Sequence, residues 1–139
     1  MSEQNKEIVR RYFAEIWSSG HYDVADQLVE AGHQISTGTP MSPDVIKHVA
    51  SLFRTAFPDI KYDLAVVVAE DDIVVAHWKA KGTHKGMFRG VEPTGKEITY
   101  QGFDVYRVVN GKLVERWGLN DDLGLLQQLG AASFPPLAG

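Results

Sequence analysis

With 139 residues, the chain is long enough for one domain with a real core and too short for two. Fourteen basic residues against eighteen acidic ones leave a net charge of −4, which argues against nucleic acid as the main partner. The absence of cysteine excludes a disulfide frame, a thiol nucleophile and a thiolate metal site.

Residues 1–7 are polar and lead straight into a helix, without the apolar core of a signal peptide. No later stretch is long enough to span a bilayer, so a soluble, cytoplasmic protein without a membrane partner is expected. Ile8, Tyr12, Phe13, Ile16 and Trp17 recur at helical spacing up to Gly20. A second, short helix is predicted over 23–30, burying Val24, Leu28 and Val29 and stopping at Gly32. Ser42 and Pro43 are an N-cap and a first-turn proline for a third helix, which Pro58 ends.

From Ile60 onward the pattern is that of strands, predicted over 62–69, 73–84, 97–109 and 113–120. Asn110-Gly111 between two apolar runs is a two-residue hairpin turn. A last short helix is predicted over 121–129, followed by an irregular tail at 131–139. Helices first and hairpin-linked strands afterwards give an α+β domain with an antiparallel sheet. The long third and second strands should curl, bury a concave face against the helices and leave a pocket at the open end. An apolar convex face would need a second subunit to cover it, so a homodimer or homotetramer is expected.

Strand alternation puts Trp117, Leu119 and Asp121 on one face at the hand-over to the last helix. Asp121 is then either the N-cap of that helix or a carboxylate held in an apolar pocket, where burial would raise its pKa toward that of a neutral-pH acid/base. His84 ends its strand with the parity of Trp78, and either donates to a substrate carbonyl or orients Asp121, or else is a turn residue at the strand end. Asp104, mid-strand, needs a basic partner, with Arg107 and Lys79 as candidates. Gln101 lies on the opposite face from Asp104 and is the neutral pocket contact if that face is concave. His33 follows the second helix and is in reach of a pocket mouth. The five histidines show no ligand spacing on one element, so no metal is expected, and the glycine-rich stretch 85–96 lacks the spacing of a phosphate-cradling loop.

The ordered series Phe57-Pro58-Asp59, Gly82-Thr83-His84-Lys85-Gly86, Gly90, Pro93-Thr94-Gly95-Lys96, Gly102-Phe103-Asp104, Gly111-Lys112, Glu115-Arg116-Trp117, Asp121 and Leu125-Leu126-Gln127-Gln128-Leu129-Gly130 resembles the SnoaL-like polyketide cyclase (ester cyclase) family of the nuclear-transport-factor-2-like superfamily. The resemblance covers nearly the whole chain and implies a cone-shaped α+β barrel, often oligomeric through its sheet. It also implies an intramolecular aldol ring closure without cofactor or metal, with an acid/base aspartate at the position of Asp121. Glu70-Asp71-Asp72 and Arg116 depart from the common pattern, where Glu-Gly-Asp and a histidine are usual.

The combined expectation is a cofactor-free cyclase in which Asp121, assisted by His84, moves the proton. Trp117, Trp78, Phe103, Tyr12 and Leu119 would wall a pocket for a polyketide-like or polycyclic substrate, with Gln101 and His33 as polar contacts. An epoxide hydrolase or dehydratase on the same scaffold is one alternative, although the apolar Leu119 stands where a hydrolase would need a polar residue. A non-catalytic module that binds a hydrophobic ligand is the other.

Overall fold

The computed structural model describes residues 2–34 and 40–133, with the side chains of 32–34 and 40 left out. Helix α1, Ser2–Arg11, runs on without a break into a π-helical segment, Tyr12–Ser18. The wider π turn buries Tyr12, Phe13, Ile16 and Ser18 on one side of the chain. Its end is pinned twice: Ser18 Oγ accepts from the Tyr62 amide at 2.8 Å, and Arg54 Nη1 donates to the Ser18 carbonyl at 2.6 Å.

The predicted second helix is shorter than expected. A 3-10 turn, Tyr22–Val24, leads into α2, Ala25–Leu28, and the chain is already extended at Val29. Strand β1, Val29–Gln34, pairs antiparallel with β2, Pro40–Met41, and parallel with the last strand through Val29↔Leu113 and His33↔Glu115. Gly32 therefore sits within a strand, opposite Met41, and stops no helix. Backbone pairing with an available sheet edge outweighs the helical spacing of Val24, Leu28 and Val29. Helix α3, Pro43–Ala56, opens as predicted, with Ser42 Oγ accepting from the Val45 amide at 3.2 Å and proline in the first turn.

Strands β3 (Lys61–Glu70), β4 (Ile73–Thr83), β5 (Glu97–Val109) and β6 (Lys112–Asn120) complete one six-stranded sheet in the order β2-β1-β6-β5-β4-β3. Among the described residues β1 and β6 are the parallel neighbours and the rest are antiparallel, so the sheet of this α+β domain is mixed. Register shifts between Leu64 and Val66 and between Arg107 and Val108 mark bulges, which bend and twist the strands that carry them.

The register sorts the side chains into two faces. The rows Val74–Tyr106–Arg116, Ala76–Asp104–Gly118 and Trp78–Gly102–Asn120 point inward, under the helices. The rows Val75–Val105–Trp117 and His77–Phe103–Leu119 point outward. On that outer face Leu119 is 80% exposed and Phe103 58%, while the rings of His77 and Phe103 stack at 4.3 Å. Helix α4, Asp122–Gln128, closes the described fold, and Gln128 bonds to both the amide and the carbonyl of Thr99, where β6 no longer runs beside β5. Most of the predicted tail, 134–139, lies outside the described residues.

Candidate functional site

A cavity of about 170 Å³ opens between the π segment, α3 and the inner face of the sheet. Its walls are mostly rings: Tyr12, Phe13 and Trp17 from the π segment, Phe53 from α3, and Tyr62, Trp78, Tyr100 and Tyr106 from the sheet. The rings hold one another in place, with Phe53 stacked on Tyr100 at 5.7 Å, and Trp78 edge-on to Tyr100 at 5.1 Å. Among the described residues the indole N–H groups of Trp17 and Trp78 are buried without a hydrogen-bond acceptor of good geometry, although the Tyr12 hydroxyl still feels the Trp17 N–H.

Polar groups gather at one part of the wall. Asp104, 3% exposed, accepts from Arg116 Nη2 at 2.8 Å through one oxygen and from the Tyr106 hydroxyl at 2.7 Å through the other. The partner is thus Arg116, not Arg107 or Lys79, because those two occupy outward rows of the register. Gly118 makes room for the pair: a Cβ there would stand 2.3 Å from Asp104 Oδ1 and 2.5 Å from Arg116 Nη2. Gly102 does the same for Trp78, whose indole edge would lie 2.6 Å from a Cβ. Burial pushes the Tyr12 hydroxyl up to about 12, and burial also holds Tyr62, Tyr100 and Tyr106 above the usual tyrosine range. At neutral pH these hydroxyls are protonated donors.

Arg89, Tyr100 and Asn120 also line the cavity, and a small charged cluster joins the first two. The Tyr100 hydroxyl donates a short hydrogen bond to Asp122 Oδ1, and Arg89 Nη1 lies 3.8 Å from Asp122 Oδ2. Arg89 sits in a left-handed backbone conformation, φ +47°, which costs a residue other than glycine about 1 kcal/mol or more. A half-exposed ion pair at 3.8 Å contributes only about 0–1 kcal/mol.

Of the expected site residues, the structure brings Tyr12 and Trp78 into the cavity. Trp117, Leu119, Gln101 and Phe103 are on the outer face, because the inward rows on β5, and on β6 beyond its bulge, carry the even-numbered residues. Asp121 follows the outward parity and is exposed, with its carboxylate accepting from the Gly124 amide at 2.9 Å as the N-cap of α4. The desolvated carboxylate between Trp117 and Leu119 is therefore not what the geometry shows. His33 lies in β1 opposite Pro40, and its side chain is outside those described.

His84 is fully buried but away from the cavity walls. Its Nδ1 accepts from the Thr94 amide at 3.1 Å and lies 3.0 Å from Thr94 Oγ1, which places the ring's proton on Nε2. Backbone bonds His84 N to Lys96 O and Gly95 N to His84 O fasten the same loop. Gly86 packs against the Thr55 carbonyl, 2.3 Å from where a Cβ would be, and Asp59 accepts from the Thr83 amide and hydroxyl at 2.7 and 2.8 Å. The motif residues from Phe57 to Lys96 thus tie α3, β4 and the loop before β5 together. Asp104, Arg116, Tyr100 and Asp122 were not singled out as site residues from sequence; the shared even parity of Tyr100, Asp104 and Tyr106 on one long strand was the available signal.

A family profile of SnoaL-like polyketide cyclases matches residues 7–129. A candidate polyketide cyclase from Acidithiobacillus ferrooxidans superposes with a TM-score of 0.83 at 30% identity, over 94% of this chain and 96% of that one. IdmH, a candidate polyketide cyclase from Streptomyces antibioticus, superposes with a TM-score of 0.79 at 28% identity, over 91% and 99%. AclR, a candidate hydroxylase from Streptomyces galilaeus, shares the fold with a TM-score of 0.85 at 24% identity, over 99% and 91%. No curated protein matches the chain. With its ring-walled cavity on the concave side of a bent sheet and the family profile running through it from α1 to the end of α4, the chain belongs to the SnoaL-like polyketide cyclase family.

Proposed function

We propose that the protein is a cofactor-free cyclase that closes a ring in a small oxo compound by intramolecular aldol addition. The observation that carries this is a buried carboxylate, Asp104, in the wall of an otherwise aromatic cavity, with protonated tyrosines around it. Asp104 takes the proton from a carbon flanked by two carbonyls, and Arg116 and Tyr106 hold the carboxylate in position. The resulting enolate carbon attacks the distant ketone, and Tyr100 delivers a proton to the oxygen that becomes the hydroxyl. Asp122, partly exposed behind Tyr100, takes a proton from solvent and passes it back to Tyr100, and Asp104 releases to solvent the proton it took, so both acids end as they began. The net reaction is an isomerisation: one C–C bond forms and one proton moves from carbon to oxygen. A cavity near 170 Å³ suits a molecule of about one or two rings, which is smaller than the polycyclic substrate expected from sequence.

Incubation with nonane-2,4,8-trione tests this, since C3 attack on C8 gives an isomeric six-membered ketol. Faster appearance of that isomer than in buffer is the expected result, and it should persist after treatment with a chelator. Binding of the trione without acceleration would leave a ligand-binding module. A second reading keeps Asp121 as the acid/base, supported by its match to the aspartate that the family resemblance implies.

We also infer that two copies associate through the outer face, where Val66, Val68, Phe103 and Leu119 are each at least half exposed in adjacent rows. Light scattering at micromolar concentration should give a mass of at least twice 15.4 kDa, and a monomer mass would refute it.

A further inference from the structure

Two turns among the described residues share positive φ at both central positions, end on glycine and differ in the residue before it. Asn110-Gly111 joins β5 to β6 with φ values of +52° and +78°. Arg89-Gly90 joins Phe88 to Val91 with φ values of +47° and +82°, closed by Phe88 N→Val91 O at 3.0 Å and Val91 N→Phe88 O at 2.8 Å. Positive φ at both central residues is the type I′ pattern, which favours Asn-Gly. Arginine in the first position is therefore a poor choice for the turn itself. Strain of this kind at the wall of a cavity points to a role for the side chain.

The guanidinium of Arg89 lines the cavity, lies 5.0 Å from the centroid of its neighbour Phe88 and is half exposed. At 3.8 Å from Asp122 it is too far for a hydrogen bond, and among the described residues Arg89 makes none. Deeper in the cavity the carboxylate Asp104 is already matched by Arg116, so a second anion there would go unpaired. The cation that remains for a ligand is at the edge. We infer that Arg89 is the anion-recognition residue of the cavity, and that the substrate is a small aromatic or oxo acid with its carboxylate on the guanidinium and its apolar body among the rings. This rests on the cavity being the substrate site, as proposed above. Asp122 competes with the bound carboxylate for Arg89 but is held back by the hydroxyl of Tyr100, which occupies its other oxygen.

Calorimetric titration with 3-phenylpropanoate and its amide, 3-phenylpropanamide, separates charge recognition from ring burial. The wild-type protein should bind the acid about tenfold more tightly than the amide, a preference that shrinks in high salt. Arg89→Asn, which recreates the dipeptide of residues 110–111, should lose the preference, keep its affinity for the amide and melt no lower than wild type. Asp122→Asn should bind the acid more tightly still, because the competing carboxylate is gone. Equal binding of acid and amide by the wild type, or a preference that survives in Arg89→Asn, overturns the inference while leaving the cavity as a substrate site. If neither compound binds, the cavity reading fails and takes this inference with it.

Discussion

Asp104→Asn is expected to slow ring closure by about 10²–10⁴-fold, and Asp121→Asn by less than about twofold. Asparagine keeps the shape of Asp104 and its single amide oxygen can still accept from Arg116, but its NH2 cannot accept from Tyr106 and it cannot take a proton from carbon. The Arg116 side chain, 14% exposed, would then be charged without a counter-charge, so a loss of about 2–3 kcal/mol in stability should accompany the loss of rate. At Asp121 the logic reverses. Its carboxylate caps α4 through the Gly124 amide, and asparagine caps as well as aspartate, so melting temperature and turnover should both survive. Measuring initial rate and melting temperature on both variants separates the two readings of the acid. An inactive Asp121→Asn beside an active Asp104→Asn would return the proton transfer to Asp121.

That comparison also shows where sequence reasoning reached and where it stopped. Strand boundaries over β3 to β6 were legible to within a residue or two, because alternation and the turn residues at Asn110-Gly111 are local signals. The direction of the faces was not. Alternation says that Trp117, Leu119 and Asp121 share a side, and the structure agrees; it does not say whether that side is inside. The outer face is apolar enough, with Phe103, Val105 and Trp117, to imitate a core-facing row. Strand β1 was missed because its pairing is parallel and comes from a partner some eighty residues away, as Val29↔Leu113 shows.

The motif residues carry a related lesson. His84, Asp59, Gly82 and Gly86 stand in the densest part of the family pattern, and all of them serve the joint between α3, the end of β4 and the loop at Thr94. Residues that fix a backbone joint and residues that move a proton look alike in a sequence, since both are polar or glycine at fixed spacing. Burial and partners distinguish them. His84 has its acceptor nitrogen committed to a backbone amide, whereas Asp104 holds its carboxylate in the cavity wall.

Gly118→Ala is expected to lower stability by about 3 kcal/mol or more and to abolish turnover, although it changes no charge and no catalytic side chain. Gly118 has no need of unusual backbone freedom; among the glycines with positive φ it does not appear. What it supplies is space, directly across from Asp104 on the neighbouring strand. A methyl group there would meet the Asp104 carboxylate at 2.3 Å and the Arg116 guanidinium at 2.5–2.8 Å. Arg116 is long and can swing aside, but Asp104 is short and fixed to β5, so the pair separates and leaves two buried charges poorly matched. A double-mutant cycle identifies the cause. In a background of Asp104→Ala with Arg116→Ala, both clashing side chains are gone, and Gly118→Ala should then cost less than about 1 kcal/mol. Chemical denaturation of the four proteins gives the coupling, and a cost that stays the same in both backgrounds would place the defect in the strand itself and remove Gly118 from the support of the site.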